Sequence, residues 1–258
     1  MRMTKRIILF TFFLLSTITL TACQQTSEGG DGFFYSVFVN PFTQAIHGTA
    51  GIFGENYGFA IIAITILIRL ILLPLMLKQY KKQQQMKVKM EQLKPEMQDI
   101  QEKIKKAETK EEQLKLQQQI MGLYQKHGVN PLNMGCLPIL IQMPILMGFY
   151  YAIRSSHEIA THTFLWFNLG QPDIWITAIA GIVYFLQAKV TQSTLPEEQR
   201  KQMKLMGMIS PIIIVVISLN APAALPLYWA VGGVFLIIQS LVGRKLYPPI
   251  HETASVKG

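Results

Sequence analysis

Arg69 stands inside the run FAIIAITILIRLILLPLML, residues 59 to 77, and is its one charged residue. The run is long enough to cross a hydrocarbon layer of about 30 Å. Thr65 precedes Arg69 by one helical turn on the same face. Three amides, Gln142, Gln187 and Gln239, stand in three other apolar runs. This set holds no nucleophile–base pair. Its chemistry is that of a permanent cation and hydrogen-bonding groups placed in hydrocarbon, which attracts carboxylates and solvates polar chain.

Taking Tyr57 and Lys78 as the interfacial ends of the run, Arg69 lies about 18 Å from the first and about 13 Å from the second. An arginine at such depth costs about 2.5–3.5 kcal/mol on insertion scales. Neighbouring Ile and Leu residues, each favourable by about 0.3–0.6 kcal/mol, offset that cost without explaining the residue. Snorkelling does not suit this depth. A buried acidic partner is missing, because no candidate span carries Asp or Glu in its apolar interior. A voltage sensor needs repeated charges. Water is the remaining partner, and it implies a wet cavity in the bundle. Each glutamine taken alone is equally well explained by a hydrogen bond between helices. All three with an unpaired arginine point to a cavity open to one side, a half-channel.

Other reactive types carry less. Cys136 lies in an apolar run and reads as a small buried hydrophobe. Cys23 ends the stretch LTAC, after a basic start (Arg2, Lys5, Arg6) and a short apolar core. That stretch resembles a lipobox, which implies a signal peptide over 1–22 and lipid attachment to Cys23. HEIATH, residues 157–162, approaches a zinc motif, but its histidines are five apart rather than four. No metal, cofactor, phosphate loop or catalytic triad is expected.

The elements that must position these groups are helical. Half of the 258 residues are hydrophobic and 15% are charged, the composition of a polytopic membrane protein. Five spans are expected, at 57–79, 133–153, 173–191, 207–220 and 224–244, with Lys204 as an alternative start of the fourth. Segment 23–56 is a polar leader followed by an amphipathic interfacial stretch, 32–53, lying on the outer leaflet. Lys and Arg concentrate in 80–132, 192–206 and 245–258, whereas 154–172 has only Arg154. The net charge of +9 therefore reads as a topological signal, with the mature N-terminus outside and the C-terminus cytoplasmic. Nucleic acid is demoted as a partner. Trp166, Trp175 and Trp229 fall near outer span ends, as interfacial anchors do.

Residues 80–132 read as a cytoplasmic helical hairpin. Met86, Met90, Leu93, Met97 and Ile104 form one apolar stripe, and Leu114, Leu116, Ile120 and Leu123 supply the second helix. Pro95 should end or kink the first helix. Thr109 with Glu112 makes a capping box, and Gly128 suits a C-terminal cap. The stripe either holds the hairpin together or, through Met86, Met90 and Met97, offers a soft surface that recruits apolar segments.

YQKHGVNPLNMGCLPILIQMPILMGFY, residues 124–150, the arginine-bearing first span and KPEMQDIQEK together resemble the YidC/Oxa/Alb family of membrane protein insertases over about 57–245. The lipobox, and a short stretch in place of a large outer domain, resemble that family's Gram-positive branch. The resemblance implies an all-α fold of five transmembrane helices around a hydrophilic groove open to cytoplasm and lipid, with a mobile hairpin. It matches Arg69 to the family's first-span arginine. It implies insertion of nascent membrane proteins, with the Sec translocon and the ribosome as further partners. The short tail after Arg244 lacks the long basic ribosome-binding extension of some members.

Joined to the residue reading, this gives a working expectation. Arg69, with Thr65, Gln142, Gln187 and Gln239, receives the acidic N-terminal tail of a nascent protein, and no covalent bond changes, so the protein is not an enzyme. Two other classes remain. A small-anion transporter would show paired repeats, and none is visible. A lipid-anchored scaffold would depend on the hairpin and not on Arg69.

Overall fold

The computed structural model describes residues 32–129, 136–193 and 197–248. Cys23, the 1–22 segment and the tail from 249 lie outside the described residues. The described chain is helical apart from one two-stranded hairpin. Its elements are α1 (Asn40–Ile52), α2 (Tyr57–Lys106), α3 (Lys110–Lys126), α4 (Cys136–Ser155), α5 (His157–Thr161), β1 (Thr163–Phe164), β2 (Phe167–Asn168), α6 (Ile174–Gln192), α7 (Glu197–Ser218) and α8 (Ala224–Leu246). A π-helical turn, Tyr35–Val39, leads into α1.

Two helices run further than the sequence implies. α2 does not stop at 79, and it passes through both Pro74 and Pro95 as one helix of 50 residues. Each proline removes one N–H from the ladder. The Lys, Gln, Glu and Met residues around Pro95 are strong helix formers and carry the helix past it. At 1.5 Å per residue the helix contour is about 75 Å, more than twice the hydrocarbon thickness. α7 begins at Glu197, so much of the expected 192–206 loop is the first half of the fourth apolar helix. Among the described residues, α2, α6 and α8 are long and apolar enough to cross a membrane, and Gly207–Ser218 is a shorter apolar stretch.

The chain forms two compact units. The first comprises 32–64, 142–177 and 218–228. In it the π-helical turn and α1 lie on α4, the turn burying Val39 and α1 burying Ile46 and Ala50. Gly148 makes the close approach possible, since a Cβ there would stand 3.0 Å from both Phe38 Cβ and Phe42 Cδ2. Phe42 meets the buried Phe149 edge-on at 6.1 Å. The expected interfacial stretch thus has a protein floor, while Phe33 and Ile52 stay exposed. β1 and β2 pair antiparallel, Thr163 opposite Asn168 and Phe164 opposite Phe167. Leu165, at φ 55°, turns the chain. The chain then doubles back, with Ala223 N donating to Gln171 O and Ala224 N to Leu169 O, both at 2.9 Å.

The second unit comprises 65–129, 136–141, 178–193, 197–217 and 229–248. Small residues set its helix contacts, as expected where lipid supplies no hydrophobic drive between helices. Gly243 of α8 receives the Tyr80 ring of α2, with a Cβ there falling 3.1 Å from Tyr80 Cγ. Gly233 receives Val183 and Tyr184 of α6, and Gly181 of α6 receives Val215 of α7. Outward residues stay apolar, with Leu67, Ile71, Ile212, Val216 and Ile238 all more than half exposed. In water such surface would aggregate, whereas against lipid it is solvated.

Beyond the spans, Met86, Leu93, Leu123 and Val129 form a buried cluster between α2 and α3, with Met90, Met97, Ile100 and Tyr124 packed on it. Thr109 caps α3, its hydroxyl accepting from Glu112 N at 3.2 Å. Gly128 takes φ +61° beyond the last turn, a left-handed position suited to glycine. Lys89 reaches across from α2 and donates to the carbonyls of His127 and Gly128, each at 3.3 Å.

Candidate functional site

Arg69 is half-buried on α2, and Thr65 one turn before it is 1% exposed. The guanidinium faces α8. A Cβ built on Gly232 would lie 2.9 Å from Arg69 Nη2, 3.4 Å from Nε and 3.6 Å from Cζ. Eleven residues further along both helices (69 to 80, 232 to 243), Tyr80 meets Gly243. Contacts that advance together make α2 and α8 parallel neighbours over about three turns. Among the described residues, no carboxylate pairs with Arg69.

Gln239 is half-buried. It lies two turns after Gly232 and one turn before Gly243, so it belongs to the stripe of α8 that faces α2. Arg69 and Gln239 therefore share one seam, separated by about 10 Å along the axis. Gln187 sits one turn beyond Val183 and Tyr184, the α6 residues that touch Gly233. Its amide donates to Thr191 Oγ1 on its own helix at 3.0 Å. Gln142 belongs to the first unit, where its Nε2 donates to the Tyr228 hydroxyl at 2.6 Å. The sequence alone offers no means of naming Tyr228 or Gly232 as these partners. The adjacent glycines of α8 are the one available signal, since glycine inside an apolar span marks close approach.

The three hairpin methionines point inward. Met86 is 8% exposed, and Met90 and Met97 pack on the same cluster. Leu114 and Met121 of α3 are the hairpin residues that offer large apolar surface outward. Trp166 and Trp175 are exposed, as anchors require, but Trp229 is 4% exposed and sits inside the protein. An apolar groove of about 430 Å³ runs between α6 and α7, lined by Gly181, Phe185, Met208, Pro211 and Val215 among others. None of the sequence-selected polar residues lines it.

HEIATH has a structural use. Glu158 Oε2 accepts from the Tyr57 hydroxyl at 3.1 Å and lies 3.2 Å from His47 Nδ1. His47 Nε2 is 3.1 Å from Ser156 Oγ, which also accepts from Ile159 N as the cap of α5. His162 stacks edge-on against Tyr57 at 5.3 Å. These contacts clasp α1, the start of α2 and α5 together.

A family model described as "60Kd inner membrane protein" matches residues 48–249. The chain belongs to that family. The matched range of the 60Kd inner membrane protein family includes Arg69, Gln142, Gln187 and Gln239, and leaves Cys23 outside it. The chain is 50% identical over 253 residues to "Membrane protein insertase YidC 2" of Listeria monocytogenes, covering 98% of this chain and 92% of that protein. It is 46% identical over 233 residues to "Membrane protein insertase MisCB" of Bacillus subtilis, covering 87% and 85% respectively. The solved structure titled "Active YidC insertase crystal structure with the first transmembrane domain resolved" superposes with a TM-score of 0.58 at 26% identity. That match covers 82% of this chain and 46% of the solved one, so this chain spans about half its length.

Proposed function

We propose that this member of the 60Kd inner membrane protein family inserts nascent membrane proteins, acting alone or beside the Sec translocon. The observation that carries the mechanism is Arg69, a cation half-buried on an apolar helix with no carboxylate partner among the described residues. The names of the relatives at 50% and 46% identity support the activity.

On this reading five helices cross the membrane, with a lipid-modified Cys23 outside and the C-terminus inside. A groove wet from the cytoplasm holds Arg69, with Thr65, Gln142, Gln187 and Gln239 as its polar lining. The hairpin meets the emerging substrate, and a translating ribosome delivers it. An acidic substrate tail about 4 Å from the guanidinium gains about 4 kcal/mol before desolvation, at an effective dielectric near 20. That attraction lowers the cost of drawing the tail halfway across. A potential positive outside then favours export of each carboxylate by about 2.3 kcal/mol per 100 mV. The apolar segment leaves sideways into lipid, and no covalent step is required.

Reconstituted Arg69→Lys should insert an acid-tailed single-span substrate, and Arg69→Ala should not. A neutral-tailed substrate should distinguish the variants far less. Equal failure of Arg69→Lys and Arg69→Ala would assign Arg69 a shape-specific structural role instead. Crosslinks from probes at 69, 142 and 187 to a ribosome-stalled nascent chain would locate the substrate path.

A further inference from the structure

The residue that faces the Arg69 guanidinium on α8 has no side chain. Three guanidinium atoms lie within 3.6 Å of where a Cβ on Gly232 would stand, at 2.9 Å for Nη2, 3.4 Å for Nε and 3.6 Å for Cζ. The Nε–Nη2 edge of the head group, not merely its tip, is turned to the bare backbone at Gly232. We infer that Gly232 is the seat of the Arg69 guanidinium, a positioning residue that fixes where along the α2–α8 seam the cation is presented. This deepens the insertase reading and rests on it for its functional consequence.

The two adjacent glycines of α8 have separate tasks. Gly233 accommodates α6, where a Cβ would fall 2.7 Å from Val183 Cγ1 and 3.2 Å from the Tyr184 ring. Those neighbours are a branched side chain and a ring packed between helices, so crowding there must separate α6 from α8. At Gly232 the three nearest atoms all belong to the far end of one long flexible side chain. A methyl group at 232 is accommodated by swinging the guanidinium aside, with little cost to packing. Alanine is also a better helix former than glycine. Gly232→Ala therefore moves the charge without unfolding the protein, whereas Gly233→Ala loosens the helices without addressing the charge. A lysine at position 69 has no fixed two-nitrogen edge to set against the backbone, so it has no need of the seat.

The test uses the full chain in nanodiscs and proteoliposomes, with Gly232→Ala and Gly233→Ala each made alone and each combined with Arg69→Lys. Phenylglyoxal modification of Arg69, followed by peptide mass spectrometry, reports the surroundings of the guanidinium independently of insertion. Gly232→Ala alone should change that rate by about threefold or more and leave the melting temperature unchanged or higher. It should reduce insertion of an acid-tailed substrate by about tenfold when Arg69 is kept but less than about twofold when combined with Arg69→Lys, a coupling within the usual range for touching residues. Gly233→Ala should lower the melting temperature equally with and without Arg69→Lys. An unchanged phenylglyoxal rate in Gly232→Ala, or an equal insertion loss with and without Arg69→Lys, would overturn the seat. If Arg69→Ala itself inserts normally, the electrostatic reading of insertion fails, and the phenylglyoxal rate alone decides the seat.

Discussion

Gln142 Nε2 and the Tyr228 hydroxyl are hydrogen-bonded at 2.6 Å across 86 residues of sequence, tying α4 to the first turn of α8. Tyr228 is 2% exposed and its ring stands 4.9 Å from that of Phe149. Tyr228→Phe keeps the ring and removes the acceptor. It should cost about 0.6 kcal/mol and at most about 1.7, the span measured for such bonds in membranes. Gln142→Leu with Tyr228→Phe should cost less than the two single changes added, because neither partner is then left unsatisfied. A double-mutant cycle of unfolding free energies in detergent checks this, and strict additivity would refute it.

Glycines with different surroundings should respond oppositely to alanine. A Cβ on Gly170 would collide with the Ala160 carbonyl oxygen and would lie 2.8 Å from Ala160 Cα. Backbone cannot swing aside, so Gly170→Ala should destabilise the first unit by about 1–3 kcal/mol. Gly122, inside α3 one turn before its end, has nothing within 4 Å of its Cβ position. Gly122→Ala should stabilise the hairpin by about 0.5–1 kcal/mol. Thermal melts of the two variants should move in opposite directions.

The hairpin relies on a small core. Leu93 is 2% exposed and Leu123 9%. Truncating a buried leucine to alanine costs about 2–5 kcal/mol, more than so small a cluster can lose while staying closed. Leu93→Ala should separate α3 from α2 while the apolar part of α2 stays helical. Spin-label distances between 93-proximal and α3 positions would lengthen and broaden. A sharp, unchanged distance would show that the contacts beyond Leu93 suffice.

Burial also gives the hairpin a pH signature. It lowers the Lys87 ammonium below its ordinary 10.5 and raises the Tyr124 phenol above its ordinary 10.0. For Lys87 the unfolded state holds the extra proton between the lowered value and 10.5, so stability rises with pH through that window. For Tyr124 the folded state holds the proton longer, so stability falls once pH passes 10.0. Pulse proteolysis of the hairpin should therefore show protection rising with alkaline pH up to 10.0, the two groups opposing each other between 10.0 and 10.5, and protection falling above 10.5. Lys87→Gln should abolish the rising limb.

The sequence by itself determined the elements whose signals are local. Apolar runs located the helices of α2, α6 and α8, and the Thr109–Glu112 spacing located the cap of α3. Depth within one run made Arg69 anomalous with no knowledge of its neighbours. Its reading as an unpaired cation needed only the absence of acids from the spans. Only the tertiary structure decided partners. Gly232 receives the guanidinium, Tyr228 receives Gln142, Met86 turns inward and Trp229 is buried. α2 also continues past 79 and Pro95, because helix propensity on both sides outweighs one missing hydrogen bond. The reason for the division is physical. Periodicity and hydropathy act over a few turns of one helix, whereas contacts between distant helices depend on how closely two backbones approach, and here a missing side chain sets that distance.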